Sequence, residues 1–224
     1  MAEYLDHTLL IYFSKPLLMV SLASFYFWST KNNQKPFDRT ILFALAFSCL
    51  GDILLLFVEQ QSQGMLFFAA GLGSFLLAHL AYIYSFWIFP PSKKIQVSLP
   101  IILFFLILAA SLLAFLWSGI PPDLKIRVSI YALTICSMGI MSFGMRKKVS
   151  SEAGLYLIAG ALCFILSDSL IAINKFHPTL ELWQPRVSIM LTYLLAQWLI
   201  VRGVILGRGQ LDLTRIPSSP NGDQ

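Results

Sequence analysis

The sequence predicts an all-α membrane protein of about seven transmembrane helices, arranged as two parallel three-helix repeats joined by a linker helix. Three observations predict it. Of 224 residues, 57% are hydrophobic and only 12% charged, with a mean hydropathy of +0.74. A soluble domain of this length shows water a far more polar surface. Seven apolar stretches reach the roughly 20 residues that a bilayer core demands of a helix. Polar or proline-rich punctuation separates them.

The first stretch, 9–29, has no basic leader and no small-residue cleavage site, and it contains Lys15-Pro16. It therefore reads as a span and not as a signal peptide. It stops at Lys31-Asn32-Asn33-Gln34-Lys35-Pro36. The second, 39–58, ends at Glu59-Gln60-Gln61-Ser62-Gln63, and the third, 64–88, at Pro90-Pro91-Ser92-Lys93-Lys94. The fourth, 98–118, meets Pro121-Pro122-Asp123, and the fifth, 125–146, runs into Arg146-Lys147-Lys148. The sixth, 152–175, closes at His177-Pro178, and the seventh covers 185–207. Residues 1–207 are thus expected to form one transmembrane helical domain. Residues 208–224, polar and containing Pro217, Pro220 and Gly222, are expected to form a disordered cytoplasmic tail.

The net charge of +5 is no signature of nucleic-acid binding, because the basic residues are scattered among loops. They follow a topology instead. With the N-terminus outside, one side holds Lys31, Lys35, Arg39, Lys93, Lys94, Arg146, Lys147, Lys148, Arg202, Arg208 and Arg215. The other holds Lys15, Lys125, Arg127, Lys175 and Arg186. The richer side is expected to be cytoplasmic, giving N-out and C-in. Compactness favours a bacterial inner membrane over a eukaryotic internal one. Cys49, Cys136 and Cys163 all fall within spans and read as small apolar residues.

The second and sixth spans resemble each other around an acid: Leu50-Gly51-Asp52-Ile53-Leu54 and Leu166-Ser167-Asp168-Ser169-Leu170. The third and seventh match as Phe75-Leu76-Leu77-Ala78-His79-Leu80 and Tyr193-Leu194-Leu195-Ala196-Gln197-Trp198. Both members of each pair run in the same direction, which suggests a pseudo-two-fold axis along the membrane normal. The alternative is chance, since apolar segments share Leu and Ala cheaply. A true repeat places Asp52 and Asp168 at equivalent depths around a central cavity.

An ionisable group inside a span needs a partner or a watered pocket. The candidates are few: Asp52, Asp168, Lys15, His79 with Tyr82 one turn on, Tyr131, Asn174 and Lys175, and Tyr193 with Gln197. Asp52, Asp168, Lys15 and Tyr131 fall in the outer halves of their spans and His79 near the centre of its own; polar groups from separate helices in one depth band suggest a polar pocket opening to the non-cytoplasmic side. The plainer alternative is that Asp52–Lys15 and Asp168–Lys175 are ion pairs that only fix packing. Histidines at HxxxH or HExxH spacing, a Gly-x-Ser-x-Gly elbow and a phosphate-cradling glycine loop are all missing, so neither metal nor cofactor is expected. Two carboxyl groups in one low-dielectric site can divide into a protonated acid and an ionised base. Such a pair suits hydrolysis of an acid-labile ether through an oxocarbenium-like state. A pocket within the bilayer favours an amphiphilic substrate.

These residues resemble the lysoplasmalogenase family, the YhhN-like integral membrane proteins. The likeness covers nearly the whole chain. It rests on Lys15-Pro16-Leu17, Ser48 with Gly51-Asp52, His79 with Tyr82, Gly160 through Asp168, Lys175-Phe176, and Tyr193 through Ile200. Members of that family have a helix before the Lys-Pro-Leu motif, whereas here a short leader precedes Lys15. The resemblance implies an enzyme that hydrolyses the vinyl ether bond of lysoplasmalogens, releasing a fatty aldehyde and glycerophosphocholine or glycerophosphoethanolamine without a cofactor. Asp52 and Asp168 would then be the acid and base, in either order. Lys15 and Lys175 would hold the phosphate, and His79, Tyr82, Tyr131, Asn174, Tyr193 and Gln197 would line the substrate site. A transporter or lipid-binding protein using the same pocket is the main competing class, and a receptor the lesser one.

Overall fold

The computed structural model describes residues 8–58, 63–90, 95–177, 179–180 and 182–213, with side chains described between Pro16 and Leu211. These residues form seven helices: α1 (Thr8–Thr30), α2 (Pro36–Leu56), α3 (Gly64–Ile88), α4 (Leu99–Leu116), α5 (Pro122–Met145), α6 (Ser151–Phe176) and α7 (Pro185–Leu213). A 3-10 turn at Lys31–Asn33 joins α1 to α2, and no strand occurs among the described residues. Helices α2 to α7 are each long and apolar enough to cross a membrane, and α1 has 23 residues of similar character. The chain is a multi-pass integral membrane protein, as its composition leads one to expect.

The helix starts follow local chemistry. Proline occupies the first turn of α2, α4 and α5, where its missing N–H costs no hydrogen bond and its fixed φ suits the helix. At α6 the Ser150 hydroxyl accepts the Ala153 N–H at 3.2 Å. Helix α2 begins at Pro36, before the apolar limit at residue 39, because the Asp38 carboxylate accepts the Lys35 N–H at 2.7 Å. Helix α7 continues to Leu213, beyond the apolar limit at residue 207. Arg208 is drawn inward there, its Nη1 2.6 Å from Asp38 Oδ2. The chain after Leu213 lies outside the described residues, as does the side chain of Lys15.

Connections alternate between two ends of the bundle. One is a basic end. There Arg208 also donates to the carbonyls of Asn33 and Thr30, and Tyr26 donates to Asp38 Oδ1 at 2.7 Å. Lys148 donates to the carbonyls of Phe86, Trp87 and Phe89 at 3.3, 3.0 and 2.9 Å, satisfying the otherwise unpaired end of α3. Burial pulls its ammonium below the ordinary lysine pKa. The opposite end is aromatic. Phe68 meets Phe176 edge to face at 5.6 Å, His177 stacks on Phe115 at 4.6 Å, and Lys125 lies 4.7 Å over Trp117.

Helices α2 with α3 and α6 with α7 make the most intimate pairs; α1 lies on α2, and α5 lies on both α6 and α3. Helix α4 is peripheral. It shows Leu103, Phe104, Leu106 and Ile107 outward, as a lipid-facing helix does. The α6–α7 contact is close because Gly160 and Gly203 have no side chains. A Cβ on Gly160 would lie 2.9 Å from the Ile200 nitrogen, and one on Gly203 would lie 3.0 Å from the Ala153 carbonyl oxygen.

Candidate active site

Asp52 stands one turn before the end of α2, and Asp168 about two turns before the end of α6. Helices α5 and α7 run the opposite way, so Tyr131 and Tyr193, early in each, reach the same level. His79 comes to it from the middle of α3.

Asp168 Oδ2 is the focus of one cluster. It accepts the Tyr131 hydroxyl and lies 3.2 Å from His79 Nε2, which is 3.0 Å from the Tyr131 oxygen. His79 is fully buried, its ring near perpendicular to that of Phe164 at 4.6 Å between centroids. Its Nδ1 has no hydrogen-bond partner among the described residues. A proton on Nδ1 would be a buried orphan donor, so the geometry favours the tautomer with the proton on Nε2. Tyr131 and His79 then both donate to one carboxylate oxygen and fix its orientation.

Asp52 belongs to a second cluster. Its Oδ2 accepts the Tyr193 hydroxyl at 2.8 Å. One turn along α7, Gln197 Oε1 accepts the Tyr82 hydroxyl at 2.5 Å, and its Nε2 donates to Ser48 Oγ at 2.9 Å. Tyr82, Gln197 and Ser48 are fully buried and tie α2, α3 and α7 together beneath the acids. The bonds cross between the intimate pairs: α3 reaches α6, and α7 reaches α2.

The two acids face a common cavity. It is walled by Asp52, Asp168, Ser167, Tyr193 and Phe75, with Leu55, Ile171 and Met190 towards the aromatic end. It offers about 80 Å³ to the centres of water molecules, room for several waters. Asp52 and Asp168 keep 8% and 9% exposure, whereas Asp38 at the basic end keeps none. Asp52 and Asp168 are thus within reach of a small reactant in the cavity, whereas Asp38 is closed off beside Arg208. A second cleft, largely apolar, lies between Phe68, Leu72, Val128 and Phe176 and meets the first at Phe75 and Asp168. A third opens between α4, α5 and α6.

The residues expected from sequence divide by place. Asp52, Asp168 and Tyr193 line the acid cavity, and Tyr131 and His79 orient Asp168. Tyr82 and Gln197 lie one layer deeper and brace the helices. Asn174 and Lys175 are exposed near the end of α6; the Lys175 ammonium stands 5.5 Å over the Phe68 ring. Ser48, Ser167 and Phe75 join the site without having stood out as its members. Phe75 forms the partition between two clefts and packs edge to face on Tyr193 at 5.9 Å. Among the described residues no three His, Cys, Asp or Glu side chains gather as a metal set.

Comparison with known proteins adds an independent line. The YhhN family model matches residues 10–204. A protein of Mycobacterium bovis named lysoplasmalogenase is 29% identical over 184 residues, covering 80% of this chain and 66% of that protein. The pig protein lysoplasmalogenase TMEM86B is 34% identical over 161 residues, covering 70% of this chain and 59% of its own length. Human lysoplasmalogenase TMEM86A is 30% identical over 184 residues, 81% of this chain and 71% of the human protein. The chain thus spans about two thirds of the length of such relatives. No solved structure matches it significantly.

Proposed function

Because this chain belongs to the YhhN family, we propose that it is a membrane-embedded lysoplasmalogenase, cleaving the vinyl ether bond of lysoplasmalogens by acid–base catalysis. The observation that supports this reading is the pair of accessible carboxyl groups on one small cavity within the bilayer region. A vinyl ether needs a proton on its β-carbon, and the oxocarbenium ion so formed needs water at its α-carbon. Water adds there and gives up a proton to the second carboxylate. The hemiacetal then collapses to a fatty aldehyde and a glycerophospho-alcohol, with one water consumed.

One acid protonates carbon and the other orients and deprotonates water. Tyr131 with His79, and Tyr193, hold the two carboxyl groups in place. Lys175, with Asn174 beside it, and Lys15 serve the phosphate of the head group. By the distribution of basic residues the aromatic end faces outward, with the N-terminus outside and the C-terminus cytoplasmic, in a bacterial inner membrane.

The test is release of aldehyde from lysoplasmenylethanolamine by the purified protein in detergent, beside the saturated alkyl-ether analogue. The vinyl ether alone is cleaved. Asp52→Asn and Asp168→Asn each lower kcat by about 10²-fold or more, as loss of a positioned acid or base does. Both variants elute as the parent does on gel filtration. A folded parent protein that releases no aldehyde would return the two acids to lipid binding or transport.

A further inference from the structure

Among the described residues, Asp168 is the only acid that borders all three clefts; Asp52 borders the polar one alone. The third cleft differs from the others in what it faces. It runs between α4, α5 and α6, past Leu108, Leu112, Ile135, Ile165 and Ala172, and it ends on the Tyr131–Asp168 hydrogen bond. Its free space, counted to the open side, is about 480 Å³. The Ser169 hydroxyl at its edge is already bonded to the Ile165 carbonyl at 2.7 Å, so the cleft offers little polar recognition apart from Asp168 and Tyr131. Its outer wall is α4, the least buried of the spans α2 to α7.

We infer that this cleft is the seat of the substrate's single hydrocarbon chain, entered sideways from the bilayer, and that it delivers the vinyl β-carbon to Asp168. The inference rests on the lysoplasmalogenase reading and deepens it. In a vinyl ether the β-carbon is on the chain side and the α-carbon on the glycerol side. The group that protonates the β-carbon must therefore stand where an apolar seat meets a polar one, and Asp168 stands there. Asp52, held by Tyr193 on the polar cavity alone, faces the α-carbon and the water that attacks it. Asp168 is thus the proton donor to carbon and Asp52 the base for water. The acid cavity itself extends past Leu55, Ile171 and Met190 towards the aromatic end, where the glycerophosphate emerges, while the apolar cleft by Phe68 and Leu72 does not reach α4.

A chain in this cleft leaves lipid, not water, so its binding gains packing and position and no large hydrophobic term. The expected effect of blocking it is accordingly moderate. Leu112 is half-buried at the mouth, so Leu112→Trp fills the cleft with little burden on folding. Two readouts are needed. A saturated ether lysophospholipid with a photoreactive diazirine near its chain end is cross-linked to the intact protein, and the labelled peptide is mapped by mass spectrometry. Label is expected on α4 and α5, between residues 108 and 136, and reduced in Leu112→Trp. Label on α2 and α3, around Leu55 and Leu72, would overturn the inference. This readout requires no turnover, so it decides the chain seat even where the hydrolase reading fails.

The second readout is the ratio of kcat/KM for a hexadecenyl lysoplasmalogen over a short-chain vinyl ether analogue. It falls about tenfold, or about 1.4 kcal/mol, in Leu112→Trp. It is unchanged in Leu106→Trp, on the lipid-facing side of the same helix. A ratio that Leu112→Trp leaves untouched would place the chain elsewhere.

Discussion

At the scale of residues, the two aspartates border different clefts, and the difference can be read out chemically. Asp168 Oδ2 is fixed by a tyrosine and a histidine, while Asp52 Oδ2 is fixed by Tyr193. If Asp52 serves only to make water nucleophilic, a nucleophile that needs no base should replace it. Azide is expected to restore consumption of the vinyl ether to Asp52→Asn, adding to the oxocarbenium carbon to give an α-azido ether. It should do nothing for Asp168→Asn, in which no cation forms. Rescue of the Asp168 variant and not the Asp52 variant would reverse the roles. Both acids were legible in the sequence because a carboxylate in an apolar span demands a reason. Phe75 was not, since one more phenylalanine in an apolar helix has no polar signature. Ser48 stands four residues before Asp52 on one helix face, but a small hydroxyl in a span commonly bonds its own helix backbone. Lys175 stands apart from Asp168 for a geometric reason. Seven residues along a helix return to the same face but advance about 10 Å, towards the interface where an ammonium finds water.

At the scale of elements, the prolines and polar breaks marked where helices begin, and the apolar runs marked how many there are. What they could not mark is how closely two helices approach. Helix α7 brings both Tyr193 and Gln197 to the site, and its distance from α6 is set at Gly160 and Gly203. At Gly160 the obstacle to a side chain is the α7 backbone itself, with the Ile200 nitrogen at 2.9 Å and the Ala196 oxygen at 3.0 Å from a Cβ. Backbone cannot swing aside as a side chain does. Gly160→Leu is therefore expected to cost at least about 1–3 kcal/mol, the usual range for overpacking. The cost should appear as a fall in thermal-shift midpoint of several degrees and a loss of activity as Tyr193 moves from Asp52. Gly73→Leu, on α3 where a Cβ meets nothing within 4 Å, should leave both unchanged. A Gly160→Leu protein as stable as its parent would mean that α6 and α7 are not held at this spacing. The continuation of α7 to Leu213 was hidden for a related reason. Arg208 reads as the end of a span, and only a buried Asp38 from a distant helix makes it an interior residue.

At the scale of the whole molecule, the two ends are built for different tasks. The basic end is tied together by a buried polar network. A fully buried Asp38 is bonded by Arg208, Tyr26 and the Lys35 N–H, and Lys148 caps α3 beside it. The acid cavity lies towards the aromatic end, the end that carries Lys125, Arg127, Lys175 and Arg186. Positive charge accumulates on the cytoplasmic face of membrane proteins, and here Arg146, Lys147 and Lys148 share one short connection. Substrate should therefore enter from the leaflet opposite the cytoplasm, and the polar product should leave on that side. Single cysteines at Lys125 and Lys147, in a protein without its three native cysteines, test this directly. In right-side-out membrane vesicles a membrane-impermeant maleimide should label Lys125→Cys at once and Lys147→Cys only after permeabilisation. The reverse pattern would turn the protein over: the cavity would face the cytoplasm, the charge bias would be outweighed, and the aldehyde-producing site would draw on lysolipids of the inner leaflet. Labelling of both before permeabilisation would deny that the two ends lie on opposite sides, and with it the alternation of helices that brings Asp52 and Asp168 to one level.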